Sequence, residues 1–294
     1  MDRDTSIGRA TVRQVCAAFR ISRQAYYQAL RSPVPREPAN DESTRRRRGP
    51  WVSDDELVER IPGIVESNPG WGSRKVWASL TRRGLGVSRR RVWKRMQAMG
   101  LLLPAPQHLP RERRGKVAVP DSNRLWGTDL TTIYTREDGL VAIVPVIDFG
   151  DRFVLACQVM KSQESWSVLA PTEAALRHEF GQPSCVPDGL EWRTDHGPQF
   201  VGGDSELLVR HWGSDHTLAP VGRPTGNAIT ERFILTLKTE LLWARDWDSL
   251  AEVERAIAEW LPRYNHERPH QALGWRTPAE RRAHNLGCPG DRAA

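Results

Sequence analysis

From residue 124 onward, apolar and polar positions fall into short strand-length stretches separated by turn formers. "RLWGTDLTTIYT" (124–135) and "GLVAIVPVIDF" (139–149) are rich in β-branched and aromatic residues and meet across the turn "REDG", which predicts an antiparallel hairpin. "RFVLACQVM" (152–160) adds a third strand, so this half opens as a meander. A helix follows at "SQESWSVLAPTEAALRHEF", shifted or kinked at Pro171, then a strand at "LEWRTD", a helix at "SELLVRHWG" and a fifth strand at "DHTLAP". After the Gly/Pro loop "GRPTGNA" comes a long helix, "NAITERFILTLKTELLW". Three strands, helix, strand, helix, strand, helix is the order of an α/β domain built around a mixed sheet.

Upstream the period changes from strand-like to helical. Residues 9–32 read as two short helices: Val12, Val15, Cys16 and Phe19 form one apolar stripe, and Ser22 caps a second helix carrying Tyr26 and Tyr27. That is the outline of a helix-turn-helix. Pro33, Pro35 and Pro38 end it, and Arg45–Arg48 lie in a linker where they either hold phosphates or are simply solvated. A second helical unit covers 52–104. Ser53 with Glu56 predicts a capping box opening a helix over 54–66. Val76, Trp77 and Leu80 are the apolar side of the next helix, which Gly84 and Gly86 stop. Ser88 caps the third, with Val92, Trp93, Met96 and Met99 predicted inward and Arg89–Arg91, Lys94 and Arg95 outward. Arg74, Lys75, Arg82 and Arg83 are placed on the outside of the second helix.

Charge sharpens this division. The chain has 294 residues and a net charge of +7, but residues 1–116 carry 25 Lys and Arg against 11 Asp and Glu, whereas 117–294 carry 18 against 25. A basic front joined to an acidic back suggests polyanion binding by the first and carboxylate-dependent work by the second. The longest apolar run, 140–147, is far short of a membrane span, and the acid-bearing start "MDRDTSIGRA" has no signal-peptide core. Cys16, Cys157, Cys185 and Cys288 are widely spaced without a C-x-x-C pair, which fits a reduced cytosol and small buried hydrophobes rather than zinc.

Three acids stand out in the acidic half. Asp129 lies within a strand, where Asp is disfavoured; Asp195 ends a strand just before His196, Gly197 and Pro198; Glu231 lies one turn into the last long helix. The spacing predicts Asn227, Glu231 and Lys238 on one helix face. If the two strands are neighbours, three carboxylates meet at one sheet end, and their repulsion calls for a hard cation, Mg²⁺ or Mn²⁺. Two such ions would suit in-line displacement at a phosphodiester. His196 is then not needed as a base, and Asp148 in "VIDFGDRF" reads as a turn or structural acid.

"WGTDLT", "RTDHGPQF" and "GNAITERFILTLKTE" resemble the three acidic blocks of bacterial insertion-sequence transposases of the orfB type, which have a retroviral-integrase-like core. Their Asp, Asp, Glu triad has about 35 residues between its last two members, and 35 separate Asp195 from Glu231 here. "GWGSRKVWASLTRRGLGVSRRRVWKRMQAMGL" resembles the family's helical DNA-binding module, "YNHERPHQALGWRTPAE" its closing block and "ISRQAYYQAL" the start of its second frame. The resemblance implies a ribonuclease-H-like mixed sheet with flanking helices, preceded by small all-helical DNA-binding modules. The implied divisions are a helix-turn-helix-like segment (1–35), a basic linker (36–51), a three-helix DNA-binding domain (52–104), a linker (105–124), the catalytic core with its helical tail (125–285) and a short tail (286–294).

The resemblance also implies Asp129, Asp195 and Glu231 as catalytic metal ligands for two Mg²⁺ or Mn²⁺ ions, and strand transfer of element ends into target DNA by two-metal transesterification. Arg74, Lys75, Arg89, Arg90, Arg91, Lys94, Asn227 and Lys238 are candidate DNA contacts, with capping or solvated surface as the alternative for Asn227 and Lys238. Arg268 and His270 of the closing block could approach DNA or pack. The implied partners are double-stranded DNA, both terminal repeats and target, a second or further copy of the chain, and the product of an upstream frame (orfA). The implied place of action is the bacterial cytoplasm. Two competing readings are a DNA-binding repressor or domesticated element protein with an inactive core, and a nuclease of the same fold.

Overall fold

The long central strand organises the core. Residues 140–147 read as one unbroken apolar run, the mark of a strand covered on both faces. In the computed structural model, β3 (Gly139–Asp148) is that strand, and its side chains alternate between two cores. Ile143 and Ile147 join Leu125, Phe149, Phe233, Leu237 and Trp247 on one face. Val144 and Val146 join Trp126, Val168, Leu176, Trp192 and Trp212 on the other. The residues described are 51–104, 119–219 and 226–287, within the compact unit Gly49–Ala294. The expected helix-turn-helix over 9–32, Arg45–Arg48, Cys16, Cys288 and most of the 105–124 linker lie outside them.

The expected first strand is present in two pieces, β1 (Leu125–Thr128) and β2 (Thr131–Thr135), both antiparallel to β3. One constant register carries through the gap, so Asp129 falls opposite Pro145, which has no N–H to give to a ladder. β4 (Val154–Met160) pairs with the other edge of β3. Beyond β1, β5 (Glu191–Thr194) and β6 (Asp215–Leu218) extend the sheet in parallel. Helices α4 (Ser165–Phe180) and α5 (Gly203–Trp212) cover one face, and α6 (Ala228–Glu240) and α7 (Leu250–His266) the other. Helix α4 runs through Pro171 without ending. This is the ribonuclease-H-like arrangement that the resemblance implies.

The module ahead of the sheet has three helices, α1 (Asp54–Ser67), α2 (Ser73–Arg82) and α3 (Arg89–Ala98), around Leu57, Ile61, Val76, Leu80, Val92 and Met96. The capping box expected at α1 is half formed. Ser53 accepts from the Glu56 N–H, but the Glu56 carboxylate turns to Arg60 four residues on. Trp93, expected inward, is 43% exposed and shares the outer face of α3 with Arg90, Lys94 and Gln97. Helical geometry explains the difference: with Val92 and Met96 buried, position 93 rotates outward together with 90 and 97.

The tail ends in α8 (Pro278–Asn285), opened by a complete Thr277–Glu280 capping box. Its Arg282 enters the sheet's interior and pairs with Asp148, Asp151 and Glu179, while the N–H groups of Asn123 and Gly150 bond Asp148. Asp148 is therefore a structural acid. Burial first, and the neighbouring Asp151 second, push its carboxyl up to about 6. Cys157 is sealed in with its thiol pushed up to about 12, whereas Cys185 is exposed, contrary to the expectation of burial. Among the described residues no helix is long and apolar enough to cross a membrane.

Arg282→Met should cost about 3–5 kcal/mol in urea denaturation at pH 7, because it leaves buried carboxylates without their cation. A carboxyl whose folded value is raised loses stability as pH climbs from its unfolded value, near 4, through 6. The deficit of the variant should therefore shrink on going from pH 7 to pH 5. A deficit that is small or independent of pH would show that Arg282 is not their counterion.

Candidate active site and nucleic-acid interface

The three acids of the sequence reading arrive at one end of the sheet from three elements. Asp129 follows β1 in the interruption opposite Pro145. It continues the alternation of Leu125 and Gly127 and so belongs to the face covered by α6. Its Oδ1 accepts the Leu130 N–H at 2.8 Å. Burial pushes its carboxyl up to about 6, the charges of Asp195 and Glu231 push the same way, and Lys238 opposes them. Asp129 is thus a half-buried acid in a field of two others, with too little positive charge nearby.

Asp195 is the first residue past β5. Its Oδ1 accepts the Gly197 N–H at 3.0 Å, which turns the carboxylate back over its own loop. A Cβ at position 197 would lie 2.6 Å from Gln199 Oε1 and 3.0 Å from Asp195 Oδ1, so a side chain there would displace the Gln199 amide and crowd the Asp195 carboxylate. Support comes from behind. The Thr194 hydroxyl donates to the Asp195 carbonyl and pairs with His216 Nε2 at 2.9 Å, which makes that nitrogen the donor. His216 stacks on Trp192 at 3.9 Å, and burial keeps its pKa low. Nothing in "DHTLAP" marks His216 in advance, because its partner is on a different strand. His196 is tied to the Ala219 carbonyl at the end of β6.

Glu231 sits exposed on the first turn of α6. Three contacts fix where that turn lies. Gly127 is a notch: a Cβ there would fall 2.2 Å from Phe149 and 2.3 Å from the Thr230 hydroxyl. Asn227 Nδ2 donates to the Thr128 carbonyl at 3.2 Å, one residue before Asp129. Arg193 of β5 reaches the Gly226 carbonyl. Asn227 is therefore not on a free face with Glu231 and Lys238, as its spacing suggests; it stands at the N-cap position without a side-chain capping bond and is 5% exposed, turned onto β1.

The three carboxylates share one electrostatic neighbourhood, but they are not drawn into a chelate. No three His, Cys, Asp or Glu side chains among the described residues stand close enough to hold a metal ion between them. The tight cluster expected from sequence is in this respect corrected. The donor chemistry, three carboxylates with one desolvated acid short of positive charge, still fits a hard divalent cation.

The surroundings of the site can be set beside known proteins. Among solved structures, the simian T-cell lymphotropic virus intasome aligns with a TM-score of 0.48 and 18% identity over 75% of this chain and 74% of that one. The catalytic core domain of BIV integrase aligns with a TM-score of 0.43 and 22% identity over 56% and 97%. Family models for an integrase core domain match residues 120–224 and 213–278, and one for an HTH-like domain matches 53–108. Transposase InsD of insertion element IS2A/D/F/H/I/K from Escherichia coli is 27% identical over 276 residues, 90% of this chain and 89% of that protein. The chain thus joins an HTH-like domain to an integrase core domain, and over most of its length it is similar to an insertion-sequence transposase.

The candidate DNA contacts of this chain divide by position. Arg74, Arg90 and Lys94 are exposed on the HTH-like module and make no ion pair among the described residues. Arg91 is bound to Asp54 and lies over Trp51. Lys75, expected on the outer basic face, turns to the core instead and bonds Glu240 at 2.7 Å. Arg89 is exposed as expected, with its guanidinium 4.3 Å from the Trp77 ring. Arg268 of the closing block is buried against Glu240. Lys238 is half-buried on α6, with its charge felt at Asp129.

Gly127→Ala should lift α6 from β1 and cost about 1–3 kcal/mol in urea denaturation; a change below about 0.5 kcal/mol would mean the notch is not needed. Asp129→Asn should have the opposite sign. The carboxyl at about 6 against an unfolded value near 4 means the cost of its charge appears as pH rises across that interval and is complete above it. In chelator at pH 7 the variant should be more stable than wild type by on the order of 2 kcal/mol. The gain should fade by pH 4.5. Equal melting at both pH values would contradict the burial of this charge.

Proposed function

We propose that this chain binds the ends of its own insertion element, cuts there to free a 3′ hydroxyl, and joins that hydroxyl to target DNA by transesterification. The observation that carries the reading is the delivery of Asp129, Asp195 and Glu231 to one sheet end, with Asp129 desolvated and pushed up to about 6 by burial and by the other two acids. A half-buried acid beside two like charges is costly, and a fold that keeps it there implies a cation to complete the group. Asp129, Asp195 and Glu231 would hold Mg²⁺ or Mn²⁺, as one ion or two. Bound there, the metal would polarise the phosphodiester and favour an attacking oxygen.

The chain's own groups do the positioning. Thr194 and His216 fix the backbone of Asp195, while Gly197 holds its Oδ1 and leaves Oδ2 to project. Asn227 and the Gly127 notch fix the turn that presents Glu231. Lys238 adds positive charge on the same helix, where a DNA phosphate could be met. On the HTH-like module, Arg74, Arg90 and Lys94 supply sequence-independent attraction to the duplex. Joining two ends calls for at least two copies of the chain.

Asp195→Asn should abolish Mg²⁺-dependent joining of oligonucleotides that carry the element's ends, a loss of at least about 10³-fold for a required metal ligand, while the affinity for the same duplex stays within about twofold. Joining at the wild-type rate would remove Asp195 from the site. A wild-type chain that binds the ends and never cuts them, with Mg²⁺ or Mn²⁺ present, would favour the repressor reading instead.

A further inference from the structure

The closing block, "RPHQALGWRTPAE", takes no part in the carboxylate site, yet it is folded with care. His270 N–H bonds the Arg276 carbonyl and Trp275 N–H bonds the His270 carbonyl, which closes a small loop. Trp275 is held at φ 71°, a left-handed conformation that a bulky L residue adopts at a cost. That conformation is spent on a contact outside the core. The Trp275 indole meets Trp77 of α2 edge to face, with ring centroids 5.7 Å apart. The Arg89 guanidinium of α3 lies over both, 4.3 Å from the Trp77 ring and 5.4 Å from that of Trp275.

Two ion pairs flank this aromatic contact. Arg82, at the end of α2, makes a two-pronged pair with Glu280. Lys75 bonds Glu240, the last residue of α6, which Arg268 grips from the other side. The partnership is lopsided: Glu240 is held below the usual carboxylate range by its two cations, while burial and the charge of Arg268 lower Lys75 to about 8. The backbone comes close here too, since a Cβ on Gly70 would fall 2.8 Å from Glu240 Cγ. A cavity of about 130 Å³ remains between residues 67–71 and Tyr264, so a few discrete polar contacts hold the seam. Meanwhile Arg90, Trp93, Lys94 and Gln97 on α3 stay exposed.

We propose that the closing block is a docking surface for the chain's own HTH-like module, and that this dock sets the distance along DNA between the sequence read by α3 and the bond that is cut. The inference rests on the strand-transfer reading for its functional half and on the seam alone for its structural half. Interfaces between modules of one chain permit relative motion unless specific contacts prevent it. Here Glu240 ends the same helix whose first turn carries Glu231, so a module fastened to Glu240 and Trp275 is fixed relative to the acids. Undocked, the module still binds its duplex, but it no longer dictates where the acids fall.

Two full-length variants test this, Arg82→Glu and Trp275→Ala, with Arg82→Lys as the conservative control. Glu280 is left alone because it also closes the cap of α8. With duplexes of the inverted repeat flanking its reading frame, both variants should keep affinity within twofold. The single cut position of the wild type should spread over several base pairs, and joining should fall at least tenfold; Arg82→Lys should stay close to wild type. Separately, a protease site inserted between residues 105 and 118 allows the chain to be nicked after folding. The two wild-type fragments should co-elute in size-exclusion chromatography and those of the variants should separate. Wild-type fragments that separate overturn the dock, as do variants that stay associated and cut at one position. If the wild type makes no metal-dependent cut, the strand-transfer reading fails, and the nicked chain still decides the dock.

Discussion

A notch without a side chain governs the active end of this molecule. Helix α6 can lie on β1 only because Gly127 leaves room for Thr230 and Phe149, and the residue after Thr230 in the same first turn is Glu231. Asp129 is two residues past the same notch, so one close packing contact sets the relation between the first and third acids. The Asn227 bond to the Thr128 carbonyl fixes the helix end along the strand. The second acid is fixed through the sheet itself, since β5 pairs with β1 in parallel with Trp126 beside Trp192. Covalent neighbours do little here; backbone contacts between elements do most of the placing.

Such placing works against electrostatics. Three carboxylates brought to one sheet end repel one another, and Asp129 is also partly desolvated. The carboxyl of Asp129 resists ionisation accordingly. Burial raises Asp148 as well, but Asp148 and Asp151 receive Arg282 and several N–H groups from within the chain. The difference between the two groups of acids is the counterion: the chain supplies one to Asp148 and Asp151, while the positive charge felt at Asp129 is that of Lys238.

Much of this was legible in the sequence, for local reasons. Alternating and continuous apolar runs located the sheet's strands, with β1 and β2 read as one, and the acids were visible because Asp129 interrupts a strand-like run and Asp195 ends one. What spacing could not supply was the facing partner. Spacing puts Asn227 on a free face with Glu231, but its side chain bonds the Thr128 carbonyl of β1. Trp93 read as core because it is apolar, although Val92 and Met96 already fill the inward side of α3. His216 gave no sign at all, because its task depends on Thr194 in the adjacent strand.

The division of charge along the chain acquires a second meaning in three dimensions. A basic front half and an acidic back half read most simply as a DNA-binding part and a metal-binding part. Yet Lys75, Arg82 and Arg89 of the module face Glu240, Glu280 and Trp275 of the core. Part of the positive excess is therefore complementary to the chain's own acids rather than to phosphate. The two uses are compatible because α2 and α3 offer different faces, one meeting the core and another, with Arg90, Trp93, Lys94 and Gln97, left open. Salt weakens exposed ion pairs and phosphate contacts alike, so ionic strength acts on the seam and on DNA binding together, and only variants confined to one face can separate them.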